Sequence, residues 1–309
     1  MNERIKKMLS YMEENGLDAF LISKAENIRY LSGFTGGEDA RLLLTPNCRY
    51  IFTDSRYFEQ VRRECPDWEL VKSRPPGLEE LQKVSSTLNR IGVESHVISY
   101  NSYCQLEQSL PNKLIPLTNE VERLRQVKDE NELQMMRKAA RIGDEVFSEL
   151  CRYKIAPGIS ERELASEIVY FLRNKGCDNE AFATIALAGE NAALPHGQPG
   201  ELRLKSGDML TLDFGGFYSG YAADMTRTVA ITEALPEFQS RYRAVLEAQK
   251  LGVSLVKAGA VCREIDAAVR NCLQGYELAD YFQHGFPVPN CDRYHAENNP
   301  PVHNPASNF

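Results

Sequence analysis

Apolar residues recur at helical spacing at the start of the chain. Ile5, Met8, Leu9 and Met12 share a face, and Gly16 is placed to end the helix. Residues 17–23 form a mostly apolar run that predicts a buried strand. Two further β-type runs, 41–45 and 50–53, flank Pro46-Asn47 and predict a hairpin. Residues 55–64 read as helix, 68–71 as extended, and 73–77 as loop. The alternation describes an α/β unit of about 120 residues.

A boundary falls within 112–128, dividing the chain into 1–122 and 123–309. The charge-rich stretch 119–129 leads into a long helix with Leu133, Met136, Ala140, Gly143, Phe147 and Leu150 on one face, ending before Pro157-Gly158. Ser160 and Glu163 have the spacing of a capping box, and Leu164, Ile168 and Phe171 continue the buried stripe of a second helix. Residues 181–188 predict a strand, followed by a loop over 189–200. Residues 207–228 read as two strands around a Phe-Tyr-Ser-Gly turn, and helices are predicted at about 235–257 and 262–274. An antiparallel sheet covered by helices on one side suits this second unit, giving an α+β chain. From His284 to Phe309, Pro287, Pro289, Pro300, Pro301 and Pro305 exclude a central strand.

The 207–228 hairpin carries one aspartate on each strand. With the turn centred between Tyr218 and Ser219, Asp213 and Asp224 are directly opposed, with Cβ atoms roughly 4.5–5.5 Å apart. Facing like charges are unfavourable unless a cation sits between them. A bound metal and a pair of plain turn-flanking aspartates are both compatible with this stretch.

Composition narrows the classes. Charged residues make up 26% and hydrophobic ones 43%, the balance of an ordinary soluble protein, and the net charge of −7 offers nucleic acid no attractive field. No apolar run approaches the ~20 residues of a membrane span, and the start lacks the apolar core of a signal peptide. Eight scattered cysteines without a C-x-x-C pair argue against a zinc–thiolate site and for reduced thiols in the cytoplasm. Of the five histidines, His196 lies in the loop before the hairpin, while His284 and His295 lie near the end. His96 reads as structural and His303 as solvated.

Together these residues resemble the creatinase/aminopeptidase P/prolidase family of metallopeptidases. In the first unit the matching pieces are residues 27–36, Asn-Ile-Arg-Tyr-Leu-Ser-Gly-Phe-Thr-Gly, and Thr53-Asp54-Ser55-Arg56-Tyr57. In the second they are residues 124–132, Ala181-Phe182, His196-Gly197, Gly207-Asp208, Leu212-Asp213-Phe214-Gly215 and Asp224-Met225-Thr226-Arg227-Thr228, in family order. The resemblance implies a smaller α/β amino-terminal domain and a pita-bread catalytic domain. It also implies two divalent metals, Mn²⁺, Co²⁺ or Zn²⁺, that activate water against the Xaa-Pro bond of short proline-containing peptides. Asp213 and Asp224 are then metal ligands, His196 a substrate contact, and His284 and His295 further substrate-side groups. A homodimer is implied in the same way.

The sequence departs from the family between 286 and 294. Val288 stands four residues after His284, where the resemblance calls for a histidine ligand. Both glutamate ligands would fall beyond Phe309, and Glu297 is a poor substitute for them. The pita-bread domain is therefore expected to be incomplete at its carboxy-terminal side and its activity impaired. A non-catalytic family member, serving binding or oligomerisation, is the alternative expectation.

Overall fold

Helix α1 (Glu3–Glu14) buries Ile5, Met8 and Met12 in the computed structural model, which describes residues 2–74 and 77–282. The chain divides into two units, residues 1–127 and 128–309.

In the first unit α1 is followed by β1 (Ala19–Ile22), α2 (Ala25–Ser32), β2 (Arg41–Leu44), β3 (Arg49–Thr53), α3 (Phe58–Glu64) and β4 (Glu69–Lys72). Helix α4 (Leu78–Val84), β5 (Ile91–Glu94), α5 (Tyr100–Ser109), β6 (Leu114–Leu117) and α6 (Glu120–Gln126) complete it. The six strands form one sheet in the order β4-β3-β2-β1-β5-β6, antiparallel between β1, β2 and β3 and parallel elsewhere. Strand β1 is central and buried along its whole length. Phe20 and Ile22 join the core on one face, and Ala19 and Leu21 join that on the other. Burial on both faces explains why this segment is apolar rather than alternating. The Pro46-Asn47 signal closes the β2–β3 hairpin, with Leu44 opposite Arg49.

Polar groups are buried here as well. Asn27, fully buried, donates to Glu94 at 2.6 Å and Glu122 at 2.9 Å, and accepts from Arg125 at 2.9 Å. Glu122 also meets His96 at 3.1 Å and the Lys24 ammonium at 3.3 Å. Burial drives the Glu94 carboxyl above its ordinary range despite the N–H groups of Ser23 and Lys24 that point at it. Burial acts on Glu122 too, but its hydrogen bonds from Asn27 and His96 and the Lys24 charge outweigh it and leave that carboxyl lowered. The difference is physical: Glu122 has the Lys24 cation beside it, whereas Glu94 has dipoles and the like charge of Glu122.

The second unit opens with α7 (Glu130–Tyr153) and α8 (Glu161–Asn174), both begun by complete capping boxes. Then come β7 (Asn179–Glu180), β8 (Ile185–Ala188), β9 (Met209–Phe214), β10 (Gly216–Tyr218), β11 (Tyr221–Ala222) and β12 (Met225–Ala230). Helices α9 (Pro236–Leu255) and α10 (Cys262–Gln274) follow. The strand expected over 181–188 is shorter, because residues 181–184 cross between two three-stranded sheets ordered β11-β10-β7 and β12-β9-β8. The buried stripe of α7 is Met136, Ala139, Ile142, Gly143, Val146 and Leu150. It is rotated from the expected one, leaving Leu133, Ala140 and Phe147 half-buried at its edge. In α8, Leu172 is buried where Phe171 was expected. These stripes pack on Leu210, Leu212 and Phe214 of β9. No helix among the described residues is long and apolar enough to cross a membrane.

Candidate metal centre

Strand β9 alternates strictly: Leu210, Leu212 and Phe214 are buried, so Thr211 and Asp213 face away from the α7–α8 core. Strand β12 runs antiparallel to it, with Met225 opposite Phe214 and Thr226 opposite Asp213. Arg227, on the other face from Thr226, lies 3.6 Å from Asp144 of α7. Asp224 precedes Thr226 by two residues and therefore shares the face of Asp213.

The directly opposed aspartate pair expected from the sequence is not what forms. The hairpin turns at Ser219 and Gly220, both left-handed at φ 50° and 77°, with Tyr218 paired to Tyr221. A two-residue turn of this kind needs positive φ at both central positions, which bulky Tyr218 resists and Ser-Gly accepts. The centre thus moves one residue, Asp213 faces Thr226, and Asp224 becomes its diagonal neighbour. A shift of two in the partner keeps the side chains on one face, at a diagonal Cβ spacing of roughly 7–8 Å or less.

Gly215 makes the diagonal tight. A Cβ there would lie 1.9 Å from the Ala223 carbonyl oxygen and 3.1 Å from the Asp224 Cα. Only a glycine lets the two chains approach so closely where the hairpin passes from one sheet to the other. Ala181 and Ala223 donate to the carbonyls of Gly215 and Gly216 at 2.9 and 3.1 Å and fix the crossing. Tyr221 adds a hydroxyl bond to Glu132 of α7 at 3.1 Å.

The two carboxyls act on each other. Burial pushes Asp213 above its ordinary range, opposed by the Thr226 hydroxyl, which donates to Oδ1 at 2.9 Å, by a hydrogen bond with Asp224 and by the charge of His196. Asp224 is pushed up to about 6, first by partial burial of its carboxyl, then by the charge and hydrogen bond of Asp213. Asp224 is nonetheless exposed and Asp213 half-buried, so the pair sits on an open face of the sheet and not in a sealed pocket. Such a pair holds a proton or a cation more readily than two free charges. Two adjacent carboxylates are hard oxygen donors and fit a divalent ion as part of its donor set.

His196 is exposed on the loop after β8, near enough to act on Asp213 electrostatically. His284 and His295, with Val288 and Glu297, lie outside the described residues. Among the described residues no group of three or more His, Cys, Asp or Glu side chains could hold a metal ion. The roles of Thr226 and Gly215 escaped sequence reasoning. Both sit within the matching motifs, but their use depends on the register.

Comparison with known proteins identifies the family of both units. Residues 4–127 match the creatinase/prolidase N-terminal domain, and residues 134–301 match metallopeptidase family M24. The chain is 32% identical to the uncharacterized peptidase YqhT of Bacillus subtilis, over 91% of this chain and 80% of that protein. It is 30% identical to the Xaa-Pro dipeptidase of Pyrococcus horikoshii, over 92% and 80%. Among solved structures, the Xaa-Pro dipeptidase from Bacillus anthracis superposes with a TM-score of 0.86 at 33% identity, covering 92% of this chain and 80% of that one. The X-Pro aminopeptidase from Thermotoga maritima does so at 0.82 and 30%, covering 90% and 79%. A creatinase-type α/β unit, a second unit of the pita-bread class and a carboxylate pair on its hairpin make this chain a member of the M24 metallopeptidases, in the creatinase/aminopeptidase P/prolidase group.

Proposed function

We propose that the chain derives from a dinuclear Xaa-Pro peptidase, of the dipeptidase or aminopeptidase type, and acts on short proline-containing peptides in the cytoplasm. The observation that carries the reading is the same-face pair of Asp213 and Asp224, both raised and both oxygen donors. Relatives bearing the names Xaa-Pro dipeptidase and X-Pro aminopeptidase support the substrate class. Asp213 and Asp224 would hold the metal, two Mn²⁺ or else Co²⁺ or Zn²⁺. Bound metal supplies an activated water and polarises the scissile carbonyl. Thr226 holds Oδ1 of Asp213 from behind. His196, exposed beside the pair, is assigned to contact the peptide, and His284 and His295 are assigned to the same substrate side. A homodimer is the proposed assembly.

Turnover by the 309-residue chain is proposed to be weak. Val288 stands where a histidine ligand is called for, and no third donor joins the two aspartates among the described residues. Those two observations also favour a second reading, a non-catalytic member retained for binding or oligomerisation.

Hydrolysis of an Xaa-Pro dipeptide and a longer X-Pro peptide, with added Mn²⁺ or Co²⁺, separates the readings. Slow turnover abolished by Asp213→Asn supports the peptidase. Turnover indifferent to that substitution refutes the assignment of the pair. Absence of both turnover and metal binding favours the second reading.

A further inference from the structure

Glu161 is the first residue of α8 and is fully buried, with 0% of its surface exposed. Burying a carboxylate is costly unless hydrogen bonds replace its water, and this one is provided with them. Oε1 accepts from the Ala188 N–H at 2.9 Å and from the Asn191 amide at 3.1 Å. Oε2 accepts from the Gly200 N–H at 3.0 Å, with the Asn191 amide 3.3 Å away. The N-terminal end of α8 favours the negative charge further.

These partners are not scattered. Ala188 is the last residue of β8, Gly200 closes the loop, and Asn191 lies in the 3₁₀ turn between them. One carboxylate therefore gathers both ends of the loop that carries His196. The backbone of α8 does the converse: the N–H groups of Glu161 and Arg162 donate to the carbonyls of Leu202 and Gly200, each at 3.0 Å. Two helix-end N–H groups that would otherwise need water are satisfied by the loop. Inside the loop, Leu194 N–H donates to Asn191 at 2.9 Å, which ties the His196 segment to the anchored turn.

A contact serving α8 alone would be made within its first turn, as Ser160 and Glu163 do in their capping box. Glu161 points across to a different element and spends all its acceptor capacity there. We infer that Glu161 is a positioning residue: it pins the ends of the 189–200 loop so that His196 is held beside Asp213. The inference rests on the reading of His196 as a substrate-side group. It concerns the loop's geometry, so it can hold even where the metal assignment fails.

The test uses the whole 309-residue chain with ¹³C-labelled histidine, the His196 signal being assigned with His196→Gln. In the parent protein, Asp213→Asn moves the His196 Cε1–H signal at fixed pH. In Glu161→Gln, which keeps volume but loses the charge and one acceptor, that response is lost. Hydrogen exchange of residues 189–200 rises by about tenfold, the worth of one strong hydrogen bond, while exchange of β9 and β12 is unchanged. Glu161→Asp, which keeps the charge on a shorter arm, recovers part of the response. The inference is overturned if His196 still responds to Asp213→Asn in Glu161→Gln. It is also overturned if loop exchange stays within about twofold of the parent, or if exchange rises throughout the second unit. Should Glu161→Gln not fold, Asn191→Ala removes a single donor: selective loosening of the loop supports the inference, and unchanged exchange overturns it. Metal titration of the same proteins distinguishes a failure of the metal assignment, which leaves these loop signals as they are.

Discussion

Thr226 stands directly across the strand pair from Asp213 and donates its hydroxyl to Oδ1 at 2.9 Å. The bond holds one oxygen of Asp213, the metal ligand proposed above, in place. Thr226→Val keeps the β-branched shape and removes only the donor. Expected is an intact fold with Mn²⁺ or Co²⁺ affinity lower by about tenfold, the usual effect of losing a partner behind a ligand. Calorimetric titration measures it, and an unchanged affinity would count against this role for the hydroxyl.

Gly215→Ala forces a methyl group into the Ala223 carbonyl, a backbone atom that cannot swing away. The strands must part at the sheet crossing. A loss of about 3 kcal/mol of stability is expected, the upper range for overpacking. Urea unfolding followed by far-UV circular dichroism tests this, and a loss below about 1 kcal/mol would mean the crossing is pliable.

The pH dependence of Asp224 has a definite sign. Its folded pKa of about 6 lies above the ordinary 3.8, so the folded state binds the proton more tightly than the unfolded one. Stability is greatest at low pH on this account and falls as pH rises through about 6. Without metal, Asp224→Asn is therefore more stable than the parent at pH 8, and the advantage vanishes near pH 4. Because solvent reaches Asp224, the gain is modest. Thermal melts in EDTA at the two pH values give the comparison; equal melting at pH 8 would refute it.

Asn27→Ala removes a side chain that bonds Glu94, Glu122 and Arg125 together. Buried charged partners lose their hydrogen bonds at once, and a loss of about 3 kcal/mol is expected. Trp68, the single tryptophan and buried in the first unit, reports that unit's unfolding by fluorescence. A midpoint unchanged in urea would show that the network contributes little.

What could be read from the sequence follows from the range of the forces involved. The β2–β3 hairpin and the Ser160–Glu163 capping box depend on residues within a few positions of each other, and both are found where the local chemistry puts them. The aspartate hairpin depends on the same kind of signal, but the turn hinges on whether Tyr218 or Gly220 takes a left-handed conformation, and the pairing follows that choice. Face and motif survive the shift, which is why Asp213 and Asp224 were recognisable although their pairing was not. Glu161 and Asn27 were illegible because their partners come from distant parts of the chain. Likewise, the charge-rich stretch at 119–129 does not read as core, yet Glu122 and Arg125 are buried there.

The network around Asn27 also bears on how the first unit is made. It joins Lys24 and Asn27 to Glu94 and His96, and both pairs to Glu122 and Arg125, the last contributed by α6. A chain ending after β6 has every strand of the sheet but leaves Asn27, Lys24 and His96 without the partners that Glu122 and Arg125 supply. The network is therefore complete only when α6, the last element of this unit, is in place, so a cut between β6 and α6 would leave polar groups of earlier segments unsatisfied.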